Sequence, residues 1–376
     1  MSWTDCVLGD VVTLKRGHDL PKGKRQDGIV PVVSSSGITG WHNEVKAEPP
    51  GVVTGRYGTI GEVFYLDRPY WPLNTALYAI DFHGNDPRFV AYFLRNQLKN
   101  YKSEKAAVPG VDRNVLHKIN VRCPDRPTQE RIAGVLSAYD DLIENNRRRI
   151  ALLEQAARLL YREWFVHFRF PGHETAKFVD GLPEGWRVGT IADLFDTSSG
   201  GTPSRKNDGF YGGHINWLKT QELQNCFIFD TDEQITEEAL KRSSAKLFPE
   251  NSVIIAMYGA TIGQLGLLAK PSSTNQACCA LLPKRSDQDF LFGYCLMEHS
   301  TRTLKDLGQG AAQNNVSQTV IRALEIVIPA EKIIDEFNVV VETNFLQRKN
   351  LQFQNTKLTA ARDLLLPRLM DGRISV

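Results

Sequence analysis

Two stretches of the chain place side chains at alternating steps of three and four residues. The first carries Leu136, Tyr139, Ile143, Asn146, Ile150, Leu153, Ala157, Leu160 and Trp164, and the second Phe337, Val340, Asn344, Gln347, Leu351, Gln354, Leu358, Ala361 and Leu365. A 3.5-residue repeat is the a/d seam of a coiled coil, so the pattern predicts a long helix over 129–168 and another at the C-terminal end. At about 1.5 Å per residue the first would be a rod of roughly 60 Å. Neither helix can bury its stripe alone, and the two are expected to pair, with polar residues at three seam positions of the second. Elsewhere the periodicity is that of short strands punctuated by glycine, with a few helices between them. The uncharged run 253–269 is interrupted by Gly259, Thr261, Gly263, Gln264 and Gly266, and so reads as strand and turn instead of a membrane span.

The blocks that precede the two long helices resemble each other. Trp3, Leu8, Asp10 and Gly17 recur at the same spacing as Trp186, Ile191, Asp193 and Gly200. The run from Val53 to Gly61 returns from Ile254 to Gly263 with one inserted residue, and Asn74-Thr75-Ala76 returns as Asn275-Gln276-Ala277. Phe89 and Phe93 match Phe290 and Tyr294, behind the helix-start signals Asp86-Pro87 and Ser286-Asp287. Asp112-Arg113-Asn114-Val115 matches Gln313-Asn314-Asn315-Val316, and Ala156-Ala157-Arg158 matches Ala360-Ala361-Arg362. The offset between copies grows from 183 to about 201, so the second copy carries about 18 additional residues near its beginning. The chain therefore reads as an internal duplication of α+β type.

Length and composition add limits. A chain of 376 residues, 42% hydrophobic, is long enough for two domains with real cores. A net charge of +2 is too small for coating nucleic acid by bulk attraction, so any contact with it must come from local patches. Residues 1–127 carry 17 basic and 13 acidic side chains, whereas 171–330 carry 14 and 18. The second block can hold an anion only through a localised face. The N-terminal residues contain no secretory signal, and the six cysteines form no CxxC pair, which together lead to the expectation of a reduced, cytoplasmic protein with buried thiols.

Most enzyme signatures are missing. The sequence contains no GxxxxGK[ST] loop, HExxH helix or GxSxG elbow. The amino-methyltransferase signature is imitated only by Glu48-Pro49-Pro50-Gly51, which lacks both end residues. His42-Asn43-Glu44 starts like a zinc deaminase site without the paired cysteines, and Asp27 with Glu44 and Lys46 mimics a nuclease triad at a spacing that chance often supplies. A binding or scaffold role is favoured, without cofactor or metal.

The chemistry that remains is that of basic loops. In the first block Lys15, Arg16, Lys22, Lys24 and Arg25 crowd a glycine-containing stretch able to follow a phosphate backbone. Ser35 and Ser36 lie shortly before Trp41, and Arg56 and Arg113 fall in repeated segments. The second block answers with Ser204, Arg205, Lys206, Lys219 and Thr220 around Trp217, and with Asn314 in a repeated segment. Arg, Lys, Asn and Gln are the side chains that reach base edges. Solvated surface is the competing reading for each of these residues.

The stretch Gln129-Glu130-Arg131-Ile132-Ala133, then the run from Asp140 to Ile150, then Leu153-Glu154 and the segment from Leu159 to Arg169, closely resembles the central helix of type I restriction-modification specificity subunits. Gly201-Thr202-Pro203-Ser204 leading to Trp217-Leu218-Lys219-Thr220 is similar to the opening of a target-recognition domain of that family, and the run from Tyr258 to Gly263 to its glycine-rich core segment. The first copy departs from this form, with Gly17-His18-Asp19-Leu20. The resemblance implies two target-recognition domains, 1–127 and 171–330, and two antiparallel spacer helices, 128–170 and 331–376. It also implies double-stranded DNA, methyltransferase subunits and a restriction subunit as partners. S-adenosylmethionine would be held by the methyltransferase partner, and this chain would direct catalysis without performing it. Asp140, Asp141, Arg147 and Arg148, largely off the seam, are the expected docking residues. A fused enzyme and a scaffold that does not touch DNA are the rival readings.

Overall fold

The computed structural model describes residues 2–56, 61–99, 110–309 and 315–376. The chain forms two compact units, residues 1–144 with 357–376 and residues 145–356, and the division falls inside both long helices. Among the described residues no helix is long and apolar enough to cross a membrane.

In the first unit, strand Trp3–Val7 pairs antiparallel with Asn120–Pro124. A four-stranded sheet runs in the order Thr13–Arg16, Ala76–Asp81, Gly51–Gly55, Val63–Leu66, and a three-stranded sheet in the order Gly37–His42, Val30–Ser34, Trp71–Pro72. Helix Pro87–Leu98 begins where the sequence signals it, with the Asp86 carboxylate accepting the Phe89 N–H at 2.8 Å. Its Phe89 and Phe93 are fully buried among Leu8, Leu14, Val52 and Leu116, together with Leu136 of the central helix and Leu366 and Leu369 of the C-terminal helix.

The second unit repeats this plan. Strand Arg187–Thr190 pairs antiparallel with Glu325–Ile328. The sheet Phe195–Ser199, Cys278–Pro283, Val253–Ala256, Leu265–Leu268 has the same order with Cys226–Ile228 added at its edge. Alternation serves two cores at once: Val253, Ile255 and Cys279 join one, and Ile254, Ala256 and Cys278 the other, so the adjacent cysteines do take opposite faces. The second sheet keeps the parallel pairing of its first-unit counterpart, Tyr211–Leu218 beside Ser272–Thr274 in place of Val30–Ser34 beside Trp71–Pro72.

Several repeated residues have the same task in both copies. Asp10 accepts the Val7 N–H at 3.1 Å and Asp193 the Thr190 N–H at 2.7 Å, each closing a single helical turn. A Cβ on Gly17 would stand 2.2 Å from the Leu73 carbonyl oxygen, and one on Gly200 2.1 Å from that of Thr274, so only glycine lets the strands approach. The structure also corrects two of the matches. The side-chain bond from Asn74 to Asp19 is answered by that from Thr202 to Gln276, so Asn74 corresponds to Gln276 and not to Asn275. Val111 donates its N–H to the Arg56 carbonyl at 2.9 Å and Val316 its own to the Met257 carbonyl at 2.8 Å, which equates Val111 with Val316 and displaces that match by four residues. The inserted residue of the glycine segment is carried forward, and further insertions follow it.

The central helix spans Arg126–Tyr161 and continues as a π-helical turn, Arg162–Val166. Every position of its expected seam is buried or half-buried, whereas Leu142, Leu152 and Leu159 face outward. The C-terminal helix, Glu331–Met370, departs from its expected seam. Val340, Gln347 and Gln354 are exposed, and the buried stripe is Ile334, Phe337, Val341, Phe345, Arg348, Leu351 and, toward the end, Leu366 and Leu369. Within the second unit the two helices run antiparallel: Tyr161 packs on Phe337, Arg348 donates to Glu154 at 2.9 Å, and Asn146 donates to Asn355 at 3.0 Å. Within the first, Arg362 donates to Asp140. Three polar residues do interrupt the C-terminal seam, but they are Arg348, Asn355 and Arg362, at heptad spacing, each answered by a polar side chain of the central helix.

Candidate nucleic-acid interface

In the first unit, Lys15 and Arg16 end the edge strand of the four-stranded sheet and are exposed, Arg16 lying 3.9 Å from Asp19. The chain then passes Gly17 into His18, whose imidazole contacts the Tyr78 hydroxyl at 3.3 Å and stands edge-on to Trp71. Lys46 lies over the Trp71 ring at 4.8 Å. Burial, then the charges of Lys15 and Lys46, push the His18 imidazole below its ordinary value, a sign that these cations share one neighbourhood. Lys46, noted in the sequence only beside Asp27 and Glu44, was not among the basic-loop candidates because it lies thirty residues downstream of Arg16, and it reaches the site through the backbone pairing of Ala47 with Tyr70.

The other basic candidates form a second group. Lys22 and Lys24 are exposed on a single 3-10 turn. Arg25 is committed to the fold, since its Nη1 donates to the Thr39 carbonyl at 2.8 Å and braces the adjacent hairpin. Ser35 and Ser36 form the two-residue tip of that hairpin, where the Ser36 N–H donates to the Ser34 hydroxyl at 3.1 Å. Arg56 follows strand Gly51–Gly55 and is half-buried, with its backbone bonded to Thr75 and Val111. Arg113 is exposed at the start of the short helix Arg113–Leu116.

The second unit builds a tighter cluster. Gly201 fits beneath the Ser244 carbonyl, and the following loop is fixed from below by two aromatic residues: the Trp217 indole donates to the Gly201 carbonyl at 3.0 Å and the Tyr211 hydroxyl to the Pro203 carbonyl at 2.7 Å. Ser204, Arg205 and Lys206 are thereby presented on the outer side, all exposed. The Arg205 guanidinium stacks 4.1 Å from the Tyr211 ring. It also meets Glu233 at 2.6 Å, and the same carboxylate holds Lys219 at 2.8 Å. These two hydrogen-bonded cations, Arg205 first, lower the Glu233 carboxyl to about 2. Thr220 opens the 3-10 turn after Lys219 and is half-buried. Asn314 lies outside the described residues. Tyr211 and Glu233 were not anticipated: Glu233 lies 14 residues beyond Lys219, and the antiparallel pairing of Tyr211–Leu218 with Gln234–Ile235 is what brings it back to the cluster.

Of the expected docking residues, Asp141, Arg147 and Arg148 are exposed on the central helix, Asp141 lying 3.6 Å from Arg88. Asp140 is not a free surface group. It accepts the Tyr92 hydroxyl at 2.6 Å and pairs with Arg362, tying three helices of the first unit together.

Two copies of one frame, each with its own basic and aromatic loop cluster and each followed in the chain by a long helix, have a direct counterpart among known sequences. The profile of the type I restriction modification DNA specificity domain matches twice, over residues 2–155 and 183–355. The chain belongs to the type I restriction-modification specificity family. Among the relatives of this specificity-family chain is the type I restriction enzyme HindI specificity subunit of Haemophilus influenzae, 28% identical over 335 residues, 73% of each chain. The MjaIX specificity subunit of Methanocaldococcus jannaschii is 26% identical over 275 residues, 71% of this chain and 63% of that one. The fold is that of the type I restriction-modification S subunit from M. genitalium, with a TM-score of 0.65 at 15% identity over 98% of this chain and 96% of that one.

Proposed function

We propose that this chain is the sequence-reading component of a type I restriction-modification complex. Residues 1–127 and 171–330 each read one half of an asymmetric, bipartite site in double-stranded DNA. Helices 128–170 and 331–376 act as the spacer and dock methyltransferase subunits, to which a restriction subunit is added. The chain is non-catalytic and takes no cofactor, S-adenosylmethionine being held by the methyltransferase partner, and it works in the cytoplasm. The observation that carries this reading is that one frame presents two different chemistries, Lys46 over Trp71 with His18 edge-on to the same ring and Lys15 nearby in one copy, and Arg205 over Tyr211 sharing Glu233 with Lys219 in the other. Two unlike readers suit two unlike half-sites, where a symmetric dimer would read a palindrome.

Docking falls to the outward faces of the long helices, through Asp141, Arg147 and Arg148 and the exposed Leu142, Leu152, Val339 and Leu346. The test lengthens the spacer by one heptad in both helices, between Asn146 and Ile150 and between Leu351 and Asn355, because the antiparallel pairing requires matched insertions. Each heptad adds about 10 Å, close to three base pairs. Methylome sequencing of cells carrying the variant is expected to return the same half-site bases with a gap longer by three. An unchanged gap, or altered half-site bases, refutes the spacer role. Methylation or cleavage of DNA by the isolated chain with S-adenosylmethionine and magnesium refutes the non-catalytic assignment.

A further inference from the structure

The Glu233 clamp is an unusual arrangement for a surface meant to meet a polyanion. A loop that simply gripped phosphate would leave its cations to solvent and counterions, ready for release. Here one carboxylate engages both Arg205 and Lys219, at 2.6 and 2.8 Å, and Tyr211 stacks on Arg205 from the other side. Glu233 is itself held in place. The Thr231 hydroxyl donates to its carbonyl at 2.6 Å, and its carbonyl accepts the Trp217 N–H at 3.1 Å. Glu222 braces the same corner, accepting the Lys219 N–H and the Asp232 N–H, each at 2.8 Å.

We infer that Glu233 is a specificity-setting positioning residue, which orients Arg205 and Lys219 and removes one unit of positive charge from the loop so that it does not hold unrelated DNA. The inference rests on the DNA-reading role proposed above. A clamped guanidinium keeps donors for a correctly placed acceptor, since Arg has five N–H groups and Glu233 engages only part of them. A phosphate in arbitrary register, by contrast, meets the repulsion of the carboxylate. The second domain, acidic overall, thus gains selectivity where added positive charge would give it only affinity.

The test uses the full chain with its co-purified methyltransferase subunits and two duplexes, one carrying the site mapped from the host methylome and one with that site scrambled. Affinity is measured across a salt series. For Glu233→Gln the salt slope on the scrambled duplex is expected to steepen by about one, the response to one further counterion released. Binding of that duplex tightens about tenfold at low salt, and the preference for the true site falls by a similar factor. Glu233→Asp, which keeps the charge, is expected to restore the slope. Lys219→Met is expected to make it shallower, and this covers the case in which Glu233→Gln fails to assemble. Unchanged slope and preference in Glu233→Gln, or equal weakening on both duplexes, overturns the inference. A wild-type complex that does not distinguish the two duplexes overturns the DNA-reading role itself, whatever Glu233 does.

Discussion

The buried rung between Arg348 and Glu154 offers a measurable account of why the helices of the second unit pair as they do. The Arg348 side chain is 2% exposed and that of Glu154 25%, with 2.9 Å between them. The guanidinium also lies 5.3 Å from the Tyr294 ring and 5.0 Å from that of Phe345, and its Nε has no hydrogen-bond partner. Removing the carboxylate by Glu154→Leu strands a charge that cannot reach water, for which a cost of about 3 kcal/mol is expected, the low end of the range for a broken buried pair because the rings and the Asn225 carbonyl remain. Arg348→Met is milder, at about 1–2 kcal/mol, since Glu154 can turn to solvent and Met fills much of the volume. The double replacement leaves neither charge and is expected to lie within about 1 kcal/mol of the wild type.

The coupling in that cycle should then be about 4–5 kcal/mol. Native-state hydrogen exchange of the full chain, followed on the amides of 290–309 and 331–356, reads it locally as a roughly hundredfold loss of protection in Glu154→Leu and its recovery in the double variant. Single replacements that each cost under about 0.5 kcal/mol, or a double variant as unstable as the sum of the singles, would falsify the view that the charges stabilise each other and cost stability only when separated.

Glu298 tests the same region by pH. Burial raises its carboxyl, with Arg158 and Arg348 opposing, so its folded-state contribution is fully present below the unfolded carboxyl value near 4.5 and is lost as pH rises through the folded value; Glu298→Gln should therefore raise the Tm at pH 7 and leave it nearly unchanged at pH 4, and equal shifts at both pH values would exclude the mechanism. Gly200→Ala places a methyl group against the Thr274 carbonyl and should destabilise by more than about 1 kcal/mol in urea unfolding, whereas Gly84→Ala, where no atom lies within 4 Å but φ is +78°, costs only backbone strain of about 1 kcal/mol; equal costs would show that the strands separate freely.

How far such features can be read from sequence depends on which partner a residue meets. The central seam was legible because every stripe position is covered, including Asn146, whose amide finds Asn355. The C-terminal seam was misplaced because hydrophobic periodicity treats Arg348, Asn355 and Arg362 as surface and Val340 as interior. The structure reverses both assignments, since each of those polar residues has a partner on the central helix while Val340 stays exposed. The repeat was legible wherever geometry admits few residues, as at Gly17 and Gly200 beneath crossing carbonyls or at the turn-closing Asp10 and Asp193. It slipped by one residue at Asn74 and by four at Asp112 to Val115, where insertions in the second copy change the numbering without changing the fold.

The loops followed a different logic. Clusters of basic residues close in sequence were visible, but sequence proximity did not say which cations remain available. Arg25 braces a hairpin, Asp140 is taken up by Tyr92 and Arg362, and Arg205 and Lys219 share one carboxylate, while Lys46 joins His18 from a distant loop. Each case is a pairing between segments that only the tertiary fold brings together. Net charge is correspondingly a poor guide to this family member: the near balance of 45 basic and 43 acidic residues does not tell which cations are paired and which stand exposed. A protein so balanced cannot select DNA by bulk attraction. Selection must instead come from the few cations held in fixed geometry over aromatic rings, Lys46 on Trp71 and Arg205 on Tyr211, which the two copies mount on different strands of one frame while Gly17 and Gly200 and the turn-closing Asp10 and Asp193 keep their places.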